Sequence, residues 1–219
     1  MALGLTTTSD SADRLPIMKY DARAGRFFKI DRVQGASGWE SLQEDVTNNL
    51  TVAIDLHDID VGWIAFTTQG PDFKVVKIGQ GIPARPTDQH KQGFRVKLYE
   101  KNLGVREFAS TAKVVVGAID ALHSTVVETV EYKAGQIPVI KMTGTLPVTT
   151  SGPQGKTTNY APVFELLKFI PRPEALPLDA PVKAMTVNFA PTAATAPAAA
   201  HVAPPPPVTA APAASEAEF

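Results

Sequence analysis

The sequence predicts a mainly β, β-rich α+β domain with one main helix, followed by a disordered C-terminal tail. Three observations carry this. Branched and aromatic runs recur between Gly- and Pro-containing turn signals from about Met18 to Ile170. A single longer stretch, residues 110–128, repeats its apolar positions at helical spacing. From about Leu176 onward Pro, Ala and Thr dominate, including Pro204 to Pro207.

In chain order, residues 1–13 are small and polar and read as a loose arm. Residues 18–33 contain Arg26-Phe27-Phe28-Lys29-Ile30-Asp31-Arg32-Val33, bounded by glycines, which is a strand signal. Residues 50–56 alternate apolar with small or polar side chains. Asp58-Ile59-Asp60 turns the chain into Val61-Gly62-Trp63-Ile64-Ala65-Phe66-Thr67, and Gly70-Pro71-Asp72 marks a turn before Phe73-Lys74-Val75-Val76-Lys77-Ile78. After a Gly/Pro-rich loop at 79–86, residues 93–99 give the cleanest period-2 segment. Phe94, Val96 and Leu98 face one way, while Arg95, Lys97 and Tyr99 face the other.

The helix has Ser110 or Thr111 as its candidate cap and Val114, Val115, Ala118, Ile119, Leu122 and Val126 as its apolar stripe. Residues 137–142 and 161–170 read as two strands joined by a polar loop at 149–159. Several strands, one helix and two strands fit an OB-like barrel with insertions, and also fit other α+β sheets. The expected boundaries are therefore an arm at 1–13, an OB-like domain at 14–173 and a tail at 174–219. The tail cannot bury enough apolar surface to offset its ordering entropy, and is expected to be extended, with polyproline-II character.

Composition narrows the function classes. The chain has 219 residues, 44% hydrophobic, enough for one filled core. It has no cysteine, which removes disulfides, thiolate nucleophiles and Cys-based zinc sites and suits a reducing cytoplasm. The formal charge of −1 names no partner. The N-terminus lacks a basic, apolar leader pattern, and no run approaches the roughly 20 apolar residues that span a bilayer, so a soluble, cytoplasmic protein without membrane contact is expected.

No catalytic constellation is found. Gly152-Pro153-Gln154-Gly155-Lys156-Thr157 lacks the first glycine of a phosphate-binding loop, since Thr150 stands there, and a strand rather than a helix follows it. His57, Asp58 and Asp60 offer three metal-ligand types, but adjacent strand positions point to opposite faces, and two carboxylates in a turn are ordinarily just solvated. No enzyme activity, metal or cofactor is expected.

The candidate interface is the basic and aromatic middle. Residues 74–113 carry a formal charge of about +6, with Phe73, Phe94, Tyr99 and Phe108 interleaved. Single-stranded nucleic acid needs this combination: cations track phosphates and aromatic faces stack on bases. Lys74, Lys77, Lys91, Arg95, Lys97 and Arg106 are the candidate phosphate contacts, and Tyr99 and Trp63 the candidate stacking residues. Phe94 belongs to the core face. A second basic run, Arg14, Lys19, Arg23, Arg26, Lys29 and Arg32, extends the groove but is diluted by Asp21 and Asp31. The plainer alternative is a solvated face on an ordinary sheet.

The chain ends Ser215-Glu216-Ala217-Glu218-Phe219. A folded domain, a low-complexity linker and an acidic tip ending in Phe is similar to the architecture of bacterial and phage single-stranded-DNA-binding proteins. That resemblance implies that Glu216, Glu218 and Phe219 recruit replication or repair partners. Only two acids stand where that family usually has several. The segments Val61-Gly62-Trp63-Ile64-Ala65-Phe66, His90-Lys91-Gln92-Gly93-Phe94-Arg95, Ala118-Ile119-Asp120-Ala121-Leu122 and Thr158-Asn159-Tyr160-Ala161-Pro162-Val163-Phe164 resemble uncharacterised phage- and prophage-encoded proteins. The expectation is sequence-independent binding of single-stranded DNA in phage replication or recombination, with homo-oligomerisation left open. The rivals are a structural or assembly-accessory phage protein without nucleic-acid binding, and an inhibitor of a host enzyme.

Overall fold

The structure, a computed structural model, describes residues 15–35, 38–68, 70–152 and 155–178. The arm at 1–13 and the tip residues Glu216, Glu218 and Phe219 lie outside the described residues.

The strands are β1 (Ile17–Asp21), β2 (Arg26–Gly35), β3 (Gly38–Asp45), β4 (Thr51–Ile54), β5 (Asp60–Thr67), β6 (Gly70–Lys77), β7 (Lys91–Glu100), β8 (Gly104–Ser110), β9 (Ile137–Gly152) and β10 (Gly155–Ile170). The helices are α1 (Lys113–Val126) and the single turn α2 (Val130–Lys133). The strands form one curled half-barrel sheet in the order β10-β9-β4-β7-β8-β1-β2-β3, with β5 and β6 branching from β7. All pairs are antiparallel except β1 with β8. The mainly β class with one main helix is therefore as expected, with more strands in the sheet than the sequence revealed.

β7 explains the branching. One of its edges pairs with β8 throughout, whereas the other pairs with β5 over Lys91–Arg95 and then with β4 at Leu98 and Tyr99. Gly62 and Gly93 oppose each other where β5 pairs with β7, and each is closely backed by a further strand. A Cβ on Gly62 would sit 2.5 Å from the Lys74 carbonyl oxygen, and one on Gly93 would sit 2.4 Å from that of Ser110. Side chains at this pair would hold the strands apart.

α1 lies on the inner face of the sheet. Its buried stripe is Val115, Ile119, Leu122 and Val126. It joins Phe94, Val96 and Leu98 of β7, Met18, Phe27 and Phe108, and Val52, Ile54, Ile140 and Met142 in one core. Phe27 and Phe94 each meet Phe108 edge-on at 5.3 Å between ring centroids. Each fully buried aromatic stabilises the fold by roughly 1.5–3 kcal/mol. The helix starts after Ala112, with no side-chain cap, because Ser110 and Thr111 are taken up by the end of β8 and the turn. Ser110 Oγ instead accepts from the Ala112 N–H at 3.2 Å.

Two stretches differ from the sequence reading. The expected loop at 149–159 is mostly strand: β9 runs on to Gly152 and β10 begins at Gly155, with Thr149 opposite Thr158 and Thr150 opposite Thr157. β-branched threonines suit a pleated ribbon, and facing threonine hydroxyls bond each other at 2.9 Å. β3, Gly-Trp-Glu-Ser-Leu-Gln-Glu-Asp, has almost no apolar alternation. It pairs along its whole length with β2 as an edge strand, a position in which polar side chains are expected.

The folded body also continues past residue 173, because Leu176 is fully buried. Arg172 binds Asp55 through both oxygens, at 2.6 and 2.8 Å, and donates a further bond to the Leu176 carbonyl at 3.0 Å. Asp55 has no exposed surface, and that guanidinium is the cation set against its buried carboxyl group. Burial, followed by the Asp55 charge, pushes the nearby Tyr132 hydroxyl up to about 12. Replacement of Arg172 by Ala strands the Asp55 carboxylate, and is expected to lower stability by about 3–5 kcal/mol. Urea unfolding followed by circular dichroism measures this; an unchanged midpoint would show the clasp to be dispensable.

Candidate nucleic-acid interface

Alternation along β7 places Arg95, Lys97 and Tyr99 on the outer face, opposite the buried Phe94, Val96 and Leu98. Partners in a ladder share a face, so the outer face can be followed across the sheet. Lys97 opposes Glu107 and Tyr99 opposes Val105; Glu107 opposes Ile17, Ile17 opposes Ile30 and Lys19 opposes Phe28; Ile30 opposes Gln43 and Arg32 opposes Ser41.

Three of the predicted cations on β6 and β7, Lys77, Arg95 and Lys97, are already matched by acids. Arg95 donates to Asp60 at 2.7 and 2.9 Å, lies 3.7 Å from Glu107 and stacks over the Phe73 ring at 5.0 Å. Lys97 lies 3.2 Å from Asp58. Lys77 reaches Asp58 at 2.5 Å and Asp60 at 3.0 Å. Burial pulls the Lys77 ammonium down, but the bonds to Asp58 and Asp60 outweigh this and hold it above its ordinary value. These six groups bring together Arg95, Lys77, Lys97 and Glu107, which belong to the basic stretch, with Asp58 and Asp60, which lie outside it.

The remaining candidates separate. Trp63 and Lys74 oppose each other on the other face of the β5–β6 hairpin. The Trp63 indole donates to the Pro83 carbonyl at 2.8 Å, and Arg85 lies 5.8 Å over its ring. Lys74 pairs with Asp72 at 3.0 Å. The bond from Lys74 is the first cause holding the Asp72 carboxyl below its ordinary range, and buried His90 adds to it from 3.2 Å. Lys91 is exposed at the start of β7. Arg106 sits on the inner face, opposite Leu98, buried and 2.7 Å from Asp31. Tyr99 is half-buried beside Ala53, Ile137 and Val139.

Next to the neutral cluster the outer face changes character. Ile17 is 43% exposed, Phe28, Ile30, Val105 and Tyr99 are half-exposed, and Lys19 and Arg32 are exposed with no ion-pair partner among the described residues. These form two apolar and aromatic patches on one sheet face, Ile17, Phe28 and Ile30 interleaved with Lys19 and Arg32, and Val105 with Tyr99, with Glu107 between them. Sequence reasoning included Lys19 and Arg32 in its weaker basic run but overlooked Phe28, Ile30 and Ile17. The signal was present in Phe27-Phe28: adjacent strand residues point to opposite faces, so one of the two rings must face outward.

At the β3 end this face is tied down by Asp45. Its carboxylate accepts from the Thr47 hydroxyl at 2.6 Å and the Thr47 N–H at 2.9 Å, and pairs with Arg26 at 2.6 Å. Those bonds, with Thr47 foremost, hold its pKa near 2 rather than the ordinary 3.8. A depressed carboxylate contributes stability that is complete above the ordinary value and is lost as pH falls through the folded one. Asp45 is therefore expected to titrate near pH 2 in a carboxyl-carbon NMR titration, and Asp45→Asn to reduce the loss of stability between pH 4 and 2. A titration midpoint near 3.8 would show that these bonds do not form in solution.

Comparison of the chain with protein-family models, with curated proteins and with solved structures yields no match, so the reading of this face rests on its own chemistry.

Proposed function

We propose that this chain binds single-stranded DNA without sequence preference, on the outer face of an OB-like barrel elaborated by additional strands, and serves phage replication or recombination in the host cytoplasm. The observation that carries the reading is the outer-face patch of Ile17, Phe28 and Ile30 interleaved with Lys19 and Arg32, extended beyond Glu107 by Val105 and Tyr99. Exposed rings offer sequence-tolerant stacking on bases, and unpaired cations track phosphates. The cluster of Arg95, Lys97 and Lys77 borders the face and contributes polar contacts rather than net charge. The tip residues Glu216, Glu218 and Phe219 recruit replication or repair proteins in this reading.

Fluorescence anisotropy with a labelled oligothymidine tests it. Phe28→Ala is expected to weaken binding by about 1–3 kcal/mol, roughly 5- to 150-fold. Lys19→Gln and Arg32→Gln are each expected to flatten the slope of log affinity against log salt by about 0.7. Binding that ignores both salt and these substitutions, or no binding at all, would overturn the proposal and favour the accessory phage protein, whose mark is stable large assemblies or virion association.

A further inference from the structure

The inner face holds a group that the outer-face reading does not use. Arg106 is 6% exposed, and among the described residues its ion-pair partner is the Asp31 carboxylate, which touches Nη2 at 2.7 Å. Its Nε and Nη1 are buried with no hydrogen-bond partner among the described residues. A guanidinium carries donors on all three nitrogens, and burying charged donors unmatched is costly. The strands around it explain why the fold does not supply an acceptor. Arg106 belongs to β8, Asp31 to β2, and β1 lies between them. Just before β1 comes Pro16, whose carbonyl is already taken by the Glu107 N–H at 2.9 Å. On the same face Lys29 pairs with Glu44 at 2.8 Å, so that acid is also engaged.

Asp31 keeps 29% of its side chain exposed, whereas Arg106 keeps 7%. The carboxylate is thus the more accessible member of the pair and the one that can move aside. We propose that Arg106 anchors an oxyanion site on the inner face, binding a phosphate group in place of the Asp31 carboxylate. A tetrahedral phosphate has more acceptor oxygens than the single carboxylate oxygen now bound, and planar guanidinium donors match phosphate geometry well. A phosphate monoester or free phosphate and a nucleic-acid phosphodiester share this chemistry. The site lies across the sheet from Phe28 and does not depend on the outer-face reading.

The two members of the pair make opposite predictions. With inorganic phosphate as the probe, at constant ionic strength, the full chain is expected to gain about 3–6 °C in melting temperature at roughly ten times Kd. Arg106→Gln is expected to lose that gain. Asp31→Asn is expected to melt lower without phosphate yet to bind phosphate several-fold more tightly, because a competing anion is gone. A merely structural pair would give two destabilised proteins that respond to phosphate as the wild type does, and that result would overturn the proposal. So would an Asp31→Asn protein that loses the response, a result that remains readable if Arg106→Gln fails to fold. Phosphorus NMR of the phosphate-loaded protein identifies the source. Displacement by oligothymidine assigns the site to a phosphodiester, and an unmoved signal assigns it to free phosphate or a monoester. Phe28→Ala separates the two proposals, since it is expected to impair oligothymidine binding and to leave the phosphate shift intact.

Discussion

The strict alternation of β7 is the constraint on which the rest of the molecule depends. Its inner residues, Phe94, Val96 and Leu98, supply the floor on which α1 packs, and its outer residues, Arg95, Lys97 and Tyr99, begin the opposite face. The same strand serves β8 on one edge and β5 and β4 in turn on the other. A register slip of one residue would exchange the two faces, sending two cations into the core and three apolar side chains into water. Neither the helix nor the β5–β6 hairpin would then have a surface to sit on.

The period-2 signal that defines β7 is strong in the sequence because both of its faces are chemically pure. The same physics explains what was hard to read. β3 is an edge strand, so its ladder to β2 demands backbone geometry but little from its side chains, and its composition resembles a loop. The Thr-rich ribbon at the ends of β9 and β10 is polar on both faces, leaving propensity as the only local clue. Leu176 follows two prolines that look like an ending, and only the distant Asp55 reveals that the chain is still folded there.

Charge was legible in amount but not in arrangement. Counting along the chain isolates residues 74–113 as basic, but most of the acids that meet those cations, Asp31, Asp58, Asp60 and Asp72, precede that stretch and are brought in by the fold of the sheet. A linear count cannot see partners brought in by a sheet. It also directs attention away from β1 and β2, where Lys19 and Arg32 look ordinary in sequence and stand without acidic partners among the described residues. The two phenylalanines of β2 divide the labour of the domain: Phe27 is spent on the core and Phe28 is left on the surface.

The clasp between Asp55 and Arg172 closes a separation of 117 residues. At synthesis rates of about 5–20 residues per second, a nascent chain carries Asp55 without its guanidinium for roughly 6 to 23 s. During that interval the pocket beside β4 would hold a lone carboxylate, so it favours staying hydrated and open. The final assembly of the sheet is thereby tied to completion of its last strand. A ribosome that stalls before Arg172 would leave an incomplete body with unpaired strand edges, the form in which a β-rich protein is most exposed to misassembly.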